Sequence, residues 1–189
     1  MEIARRQDPT KILAGIPAPT NVRMKIISYG AAGVGKSCII KRYCEERFIP
    51  KYISTIGIDY GVKRVNVEGK EIRVNFWDLA GGPEYLEVRS EFYKDAQGAI
   101  LVFDVTNQRS FIELELWHNE AIKYGAKDMV VVVCANKIDG GKRVVSEAEG
   151  KKWAMAKGFG YFETSAQTGQ NITAMFDELF RDVYTLRRL

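Results

Sequence analysis

Sulfur and imidazole are scarce in this 189-residue chain, which has three cysteines (Cys38, Cys44, Cys134) and one histidine, His118. The odd cysteine number and irregular spacing match no zinc site or disulfide framework. We read all three as small buried or half-buried hydrophobes in a reducing compartment. His118 has no Cys or His neighbour, so an exposed or rim position is expected for it rather than a metal. Long apolar runs are also missing: the stretches from Ala99 to Phe103 and from Met129 to Ala135 are strand-sized and far too short to cross a bilayer. The start, MEIARRQDPTK, lacks the apolar core of a signal peptide. Glu2 excludes N-myristoylation, and TLRRL offers no cysteine for prenylation, so no lipid anchor is expected in this chain. Extreme charge is absent too. A formal net charge of +4 permits an acidic partner or membrane surface. It does not demand nucleic acid, and no RNP-like or zinc-finger pattern appears, so no nucleic-acid partner is expected. Arg5-Arg6 and Arg187-Arg188 read as solvated chain ends, with weak attachment to acidic lipid or a part in nuclear import as alternatives.

What remains is an ordinary globular balance, 46% hydrophobic and 28% charged, long enough for one domain with a full core. A monomer in the cytoplasm is expected, with nuclear or peripheral membrane association left open. Residues 1–21 hold three of the five prolines (Pro9, Pro17, Pro19) and read as a flexible leader before a folded domain over 22–189. From Val22 onward strands and helices alternate. VRMKIISY reads as strand, GKSCIIKRYCEERF as helix, and GVKRVNVEGKEIRVNFWD as a hairpin turning at Glu68-Gly69-Lys70. PEYLEVRSEFYKD then reads as helix, GAILVFDV as buried strand, SFIELELWHNEAIKYG as helix and MVVVVCAN as buried strand. A helix is expected from Ser146, with Glu149 completing a capping box. YFETSA is a last strand and NITAMFDELFRDVYTLRR a closing amphipathic helix. Continuously apolar strands alternating with helices predict an α/β fold, a parallel sheet covered on both faces.

The first strand runs into Gly30-Ala31-Ala32-Gly33-Val34-Gly35-Lys36-Ser37, a complete GxxxxGK[ST] pattern between strand and helix. Its glycines allow backbone N–H groups to converge on phosphate oxygens at a helix N-terminus that already favours negative charge. Lys36 would bridge the terminal phosphates and Ser37 would ligate Mg²⁺. The loop implies a nucleoside triphosphate without naming the base.

The base is indicated further along. Asn136-Lys137-Ile138-Asp139 follows one buried strand and Thr164-Ser165-Ala166 follows the last. A carboxylate at Asp139 can accept from both N1–H and the exocyclic amine of guanine, whereas adenine would leave it unpaired. Such sites discriminate by roughly 10⁴–10⁵. Asn136 would tie the loops together, the Lys137 stem would lie along the base, and the Ala166 N–H would meet guanine O6. GTP or GDP with Mg²⁺ is the expected ligand set.

With GAAGVGKS, STIGIDY, WDLAG, NKID and ETSA in this order and spacing, the chain resembles the Ras-superfamily small GTPases over about Val22 to Leu186, and within them the Rab branch. KSCIIKRYCEERF, TIGIDYGV, RSEFYKDAQGAILVFDV, CANKID and YFETSAQTGQ are most similar to the Rab-like GTPases that carry a C-terminal J domain. These 189 residues hold no HPD-bearing J domain, which implies either a piece of a longer protein or a relative without that module. The resemblance implies a P-loop G domain, its six-stranded sheet mostly parallel with one antiparallel edge strand and helices on both faces. It implies nucleotide contacts from Ala32, Gly33, Val34, Gly35, Lys36, Ser37 and Cys38 in the phosphate loop. Phe48 would lie on the guanine face, with core packing as its alternative, and Tyr52 over the phosphates. Thr55 would join Ser37 on Mg²⁺ and touch the γ-phosphate through its N–H, and Ser165, Ala166 and Gln167 would flank the base. Gln167 replaces the Lys or Leu common after the SA pair.

The stretch from Asp78 to Tyr85, DLAGGPEY, takes its meaning from that resemblance. Asp78 would reach Mg²⁺ indirectly or through water, and the Gly81 N–H would meet the γ-phosphate, whose loss would release the loop. At the next position most of the family places the Gln that orients the attacking water; here it is Gly82, followed by Pro83. Ala32 likewise stands where most members keep a glycine, in the path of an activating arginine. Glu84 is a weak substitute for the missing Gln. No clear catalytic residue therefore emerges, with Lys36 and Thr55 only supporting. Three readings follow. One is a GTP-bound switch of very slow hydrolysis, meeting effectors through the edge from Ile56 to Tyr60 and the aromatics Trp77 and Tyr85; Trp77 has core packing as its alternative. The second is a turning-over GTPase with partner-supplied groups. The third is a P-loop kinase or ATPase, against which Asp139 argues.

Overall fold

The computed structural model describes residues 22–50 and 53–189; the leader 1–21 and Tyr52 lie outside the described residues. The chain runs β1 (Arg23–Tyr29), α1 (Lys36–Glu45), β2 (Ile58–Val67), β3 (Lys70–Leu79), a 3₁₀ turn (Pro83–Tyr85) leading into α2 (Leu86–Tyr93), and β4 (Gly98–Asp104). It continues with α3 (Gln108–Ile112), α4 (Leu114–Lys123), β5 (Val130–Asn136), α5 (Glu147–Ala156), β6 (Gly160–Thr164) and α6 (Ile172–Arg187). The six strands form one sheet in the order β2-β3-β1-β4-β5-β6. All neighbours are parallel except β2 and β3, the hairpin at one edge. This is the expected mostly parallel sheet with one antiparallel edge strand.

The two-residue period of the strands divides the core into two. Met24, Ile26, Ile100, Val102, Val132 and Cys134 face one side, under α1 and α6, where Tyr43, Phe76, Phe176 and Phe180 pack ring against ring. Ile27, Tyr29, Ala99, Leu101, Phe103, Val131 and Val133 face the other, against Tyr93 of α2, Leu114 and Trp117 of α4 and Ala154 of α5. β4 is buried along its whole length, as its unbroken apolar run required. Cys134 is buried and Cys38 and Cys44 are half-buried, all three as free thiols.

The sequence places the elements well and their details less so. Ser146 and Glu149 form the reciprocal capping box. The single helix expected from Ser110 begins instead at Gln108, because the Asn107 side chain caps it by accepting from the N–H groups of Arg109 and Ser110. It is also broken at Glu113, whose φ and ψ are −70° and −10°. His118 sits half-buried, its ring edge-on to Phe159 at 5.1 Å. Trp77 is half-buried between Tyr60 (4.5 Å) and Phe92 of α2 (4.9 Å), so it both covers the sheet and contributes an aromatic surface. No helix among the described residues is long and apolar enough to cross a membrane.

Candidate functional site

The loops that follow β1, β3, β5 and β6 open at one end of the sheet and, with residues 47–50 and 53–55, line a cleft of about 470 Å³. That volume lies within the range of small-molecule sites. Of the predicted residues, Ala32, Gly33, Gly35, Lys36, Ser37, Cys38, Phe48, Thr55, Gly81, Gly82, Asn136, Lys137, Asp139, Ala166 and Gln167 line it. Val34, Asp78 and Ser165 stand behind this lining.

The phosphate loop turns into α1 at Gly35, whose φ of +102° is left-handed, and a Cβ there would fall 2.3 Å from the Asn136 Nδ2. Only glycine fits. Lys36 folds back along the loop, and its Nζ donates to the carbonyls of Gly30 and Ala31, both at 2.9 Å. The side chain is 6% exposed. Burial pushes its pKa down to about 8, with Asp78 opposing that shift and Arg89 adding to it. A buried ammonium so poorly compensated favours an anion beside it.

Three oxygens meet next to Lys36. Ser37 Oγ lies 2.8 Å from Thr55 Oγ1 and donates to Asp78, and Thr55 Oγ1 stands 3.4 Å from the same carboxylate oxygen. The other Asp78 oxygen accepts from Ser28 at 2.5 Å, which fixes the carboxylate's orientation. An all-oxygen set of two hydroxyls and one carboxylate suits a hard divalent cation such as Mg²⁺, and these residues would hold it.

At the far end Asn136 joins three segments. Its Nδ2 donates to Val34 O at 2.8 Å, while its Oδ1 accepts from Ala166 N at 3.2 Å and Thr164 Oγ1 at 3.3 Å. Asp139 is aimed by the Ser165 hydroxyl at 2.5 Å. Lys137, at φ +68°, donates to Gly33 O at 2.8 Å and pairs with Asp104 at 2.7 Å, so its stem is stretched across the cleft floor. Asp104 in turn accepts from the Thr106 N–H and hydroxyl. Arg42 of α1 donates to the carbonyls of Ala166 (2.9 Å) and Gln167, fastening that loop to the phosphate-loop helix. Sequence reasoning missed Ser28, Arg42 and Asp104, since no motif marks them; a polar residue at the buried end of β1 was the one signal for Ser28.

The Ras family model matches residues 25–185 of this chain. The chain belongs to the Ras family. Among curated proteins it is 54% identical over 169 residues to "DnaJ homolog subfamily C member 27" of Danio rerio, covering 86% of this chain and 62% of that protein. It is 52% identical over 190 residues to the Mus musculus protein of that name (97% and 66%) and 54% identical over 172 to that of Homo sapiens (88% and 63%). The chain thus spans about two thirds or less of the length of these relatives, which are of the kind the sequence resemblance pointed to. As a Ras-family GTPase it is a P-loop protein of guanine-nucleotide type, and the kinase or ATPase reading falls.

The DLAGG loop of this Ras-family chain has its own geometry. Gly81 presses on the phosphate loop: a Cβ there would sit 2.4 Å from Ala32 N and 2.6 Å from Ala31 C. The absence of a side chain thus has a steric cause that the sequence reading had not supplied. At Gly82 the space a Cβ would enter is taken by the Glu84 carboxylate, at 2.4 to 2.6 Å. Arg89 of α2, unmarked by any motif, is 4% exposed and donates to Gly82 O. Ile56, two residues before the edge strand β2, is 80% exposed and Tyr60, near the start of β2, 47%, and Tyr85 lines the cleft mouth.

Proposed function

We propose that the protein is a GTP/GDP switch whose own hydrolysis is very slow, so that it rests mostly GTP-bound. The observation that carries this is Gly82. The position that would orient a water has no side chain, and the carboxylate beside it belongs to Glu84, a negative group facing a site built for phosphate. Water positioning and a supplied arginine together account for about 10³–10⁵ in rate in well-studied GTPases. Ala32, exposed at the cleft mouth, adds a methyl on the route such an arginine would take.

In this reading the phosphate-loop amides and Lys36 hold the phosphates, and Ser37 and Thr55 hold Mg²⁺ with Asp78 behind them. When bound, that ion neutralises phosphate charge. Phe48, Lys137, Asp139, Ser165, Ala166 and Gln167 hold the guanine. Effector proteins are read out through residues 56–60, Trp77 and Tyr85, in a cytoplasmic monomer whose G domain covers residues 22–189. Glu84 favours a second reading, a turning-over GTPase in which a partner redirects that carboxylate and supplies the rest.

Chromatography of the nucleotide that copurifies with the protein tests the first reading. GTP in excess of GDP is expected; GDP alone would favour the second, and an adenine nucleotide would overturn both.

A further inference from the structure

Arg89 lies seven residues beyond Gly82, yet its guanidinium is committed on two sides. Toward the core, Nε and Nη2 donate to the two oxygens of Glu120 on α4, at 2.6 and 2.8 Å. The Tyr93 hydroxyl donates to that carboxylate at 2.7 Å, and the guanidinium lies 4.6 Å over the Trp117 ring. Toward the loop, Nη1 donates to Gly82 O and, at 3.4 Å, to Ala80 O. A buried ion pair is weak evidence for stability by itself. A buried pair whose free corner holds two loop carbonyls has a geometric consequence.

A peptide unit is planar and trans, so its C=O and N–H point in opposite directions. The unit joining Ala80 to Gly81 turns its oxygen to Arg89. The Gly81 N–H must then point away from Arg89, on the side where Gly81 meets the phosphate loop at Ala32. The unit after Gly82 is anchored the same way, and Pro83 has no N–H to offer. The segment before β2 meets this loop only toward its last residue, where Gly57 O accepts from Ala80 N at 2.9 Å. Its Ile53 and Ile56 are exposed, and Thr55 is held by hydroxyl contacts to Ser37 and Asp78.

We propose that Arg89, braced by Glu120 and Tyr93, is a positioning residue that holds residues 80–82 in their nucleotide-ready form, aiming the Gly81 N–H into the cleft independently of the third phosphate. The proposal rests on the guanine-nucleotide switch reading above and narrows the release expected from the sequence: loss of the γ-phosphate frees residues 53–56, while 80–82, with Gly57 bonded to Ala80, stay in place.

Hydrogen-exchange mass spectrometry on the full chain loaded with GDP or with GTPγS tests this without any substitution. Protection of 80–85 is expected to be the same in both states, with the change confined to 53–56; an 80–85 segment that opens in the GDP state would overturn the proposal. Glu120→Ala, and Glu120→Gln as the milder change, are then expected to speed exchange at 80–85. Because the Gly81 N–H serves only the third phosphate, both should weaken GTPγS binding, by about tenfold for the alanine, while GDP binding holds. Equal loss for both nucleotides would mark Glu120 as merely structural. If the wild type binds neither guanine nucleotide, the switch reading fails, and exchange at 80–85 in Glu120→Ala against wild type still decides the clamp.

Discussion

The two ends of the cleft are built on opposite plans. At the base end, Asn136, Lys137, Asp139, Ser165 and Arg42 knit four segments together by side-chain hydrogen bonds. At the end proposed for the γ-phosphate, Gly81, Gly82 and Ala32 line the cleft, and positional control comes from behind, through the backbone carbonyls that Arg89 holds. On the proposed reading, one end selects a ligand with side chains, while the other presents backbone, with the Glu84 carboxylate where a water-orienting amide would stand. Recognition and turnover are, on that reading, separable functions of one cleft, and this chain has kept the equipment for the first.

The comparison breaks most visibly at Asp139. Replacing it with alanine removes the proposed acceptor of two guanine donors and leaves the Ser165 hydroxyl without its acceptor, though Thr168 N still donates to it. A fall of about 10³ in GDP affinity is expected in fluorescent-nucleotide titration, with the preference for guanine over adenine largely lost. At the other end, Gly82→Gln is expected to raise the single-turnover rate by roughly 10- to 1,000-fold while leaving GDP affinity alone. The new Cβ must displace the Glu84 carboxylate, so Gly82→Gln with Glu84→Ala should be faster than Gly82→Gln alone.

Lys36 sharpens the contrast by pH. Its folded pKa of about 8 is below its ordinary 10.5, so the nucleotide-free fold binds fewer protons than the unfolded chain between those values. Stability of the nucleotide-free protein should therefore rise as pH climbs from about 8 to 10.5, the cost being fully present below 8. Lys36→Met should remove that cost, of order 3 kcal/mol, and raise the nucleotide-free melting temperature even as it abolishes nucleotide binding. Thermal unfolding across pH checks both. The smallest effect is expected at Ser28, which only orients Asp78. Ser28→Ala should weaken Mg²⁺-dependent GDP retention by about tenfold, measured by nucleotide release against magnesium concentration.

Most of the fold could be read before the structure because β4 and β5 are short apolar runs, β2 and β3 flank the turn at Gly69, and the motifs sit at strand ends. That the NKID and ETSA segments come together was legible for the same reason, since both sit at the ends of strands. What escaped were partners joined across long separations: Arg42 with Ala166, Ser28 with Asp78, and Arg89 with Glu120. Nothing local marks such pairs; Arg89 looks like any polar residue of an amphipathic helix until α4 is folded against it. The break at Glu113 is equally silent, because its dihedrals depart only slightly from the helical region.

The central claim is that this cleft holds GTP and scarcely cleaves it. Its most direct test is the unaided decay of GTP loaded on the purified protein with Mg²⁺, followed by chromatography in a single turnover. The account predicts a rate constant clearly below the roughly 10⁻⁴ s⁻¹ scale of intrinsic hydrolysis in a Gln-bearing relative. Decay at or above that scale, in the absence of any partner, would contradict it.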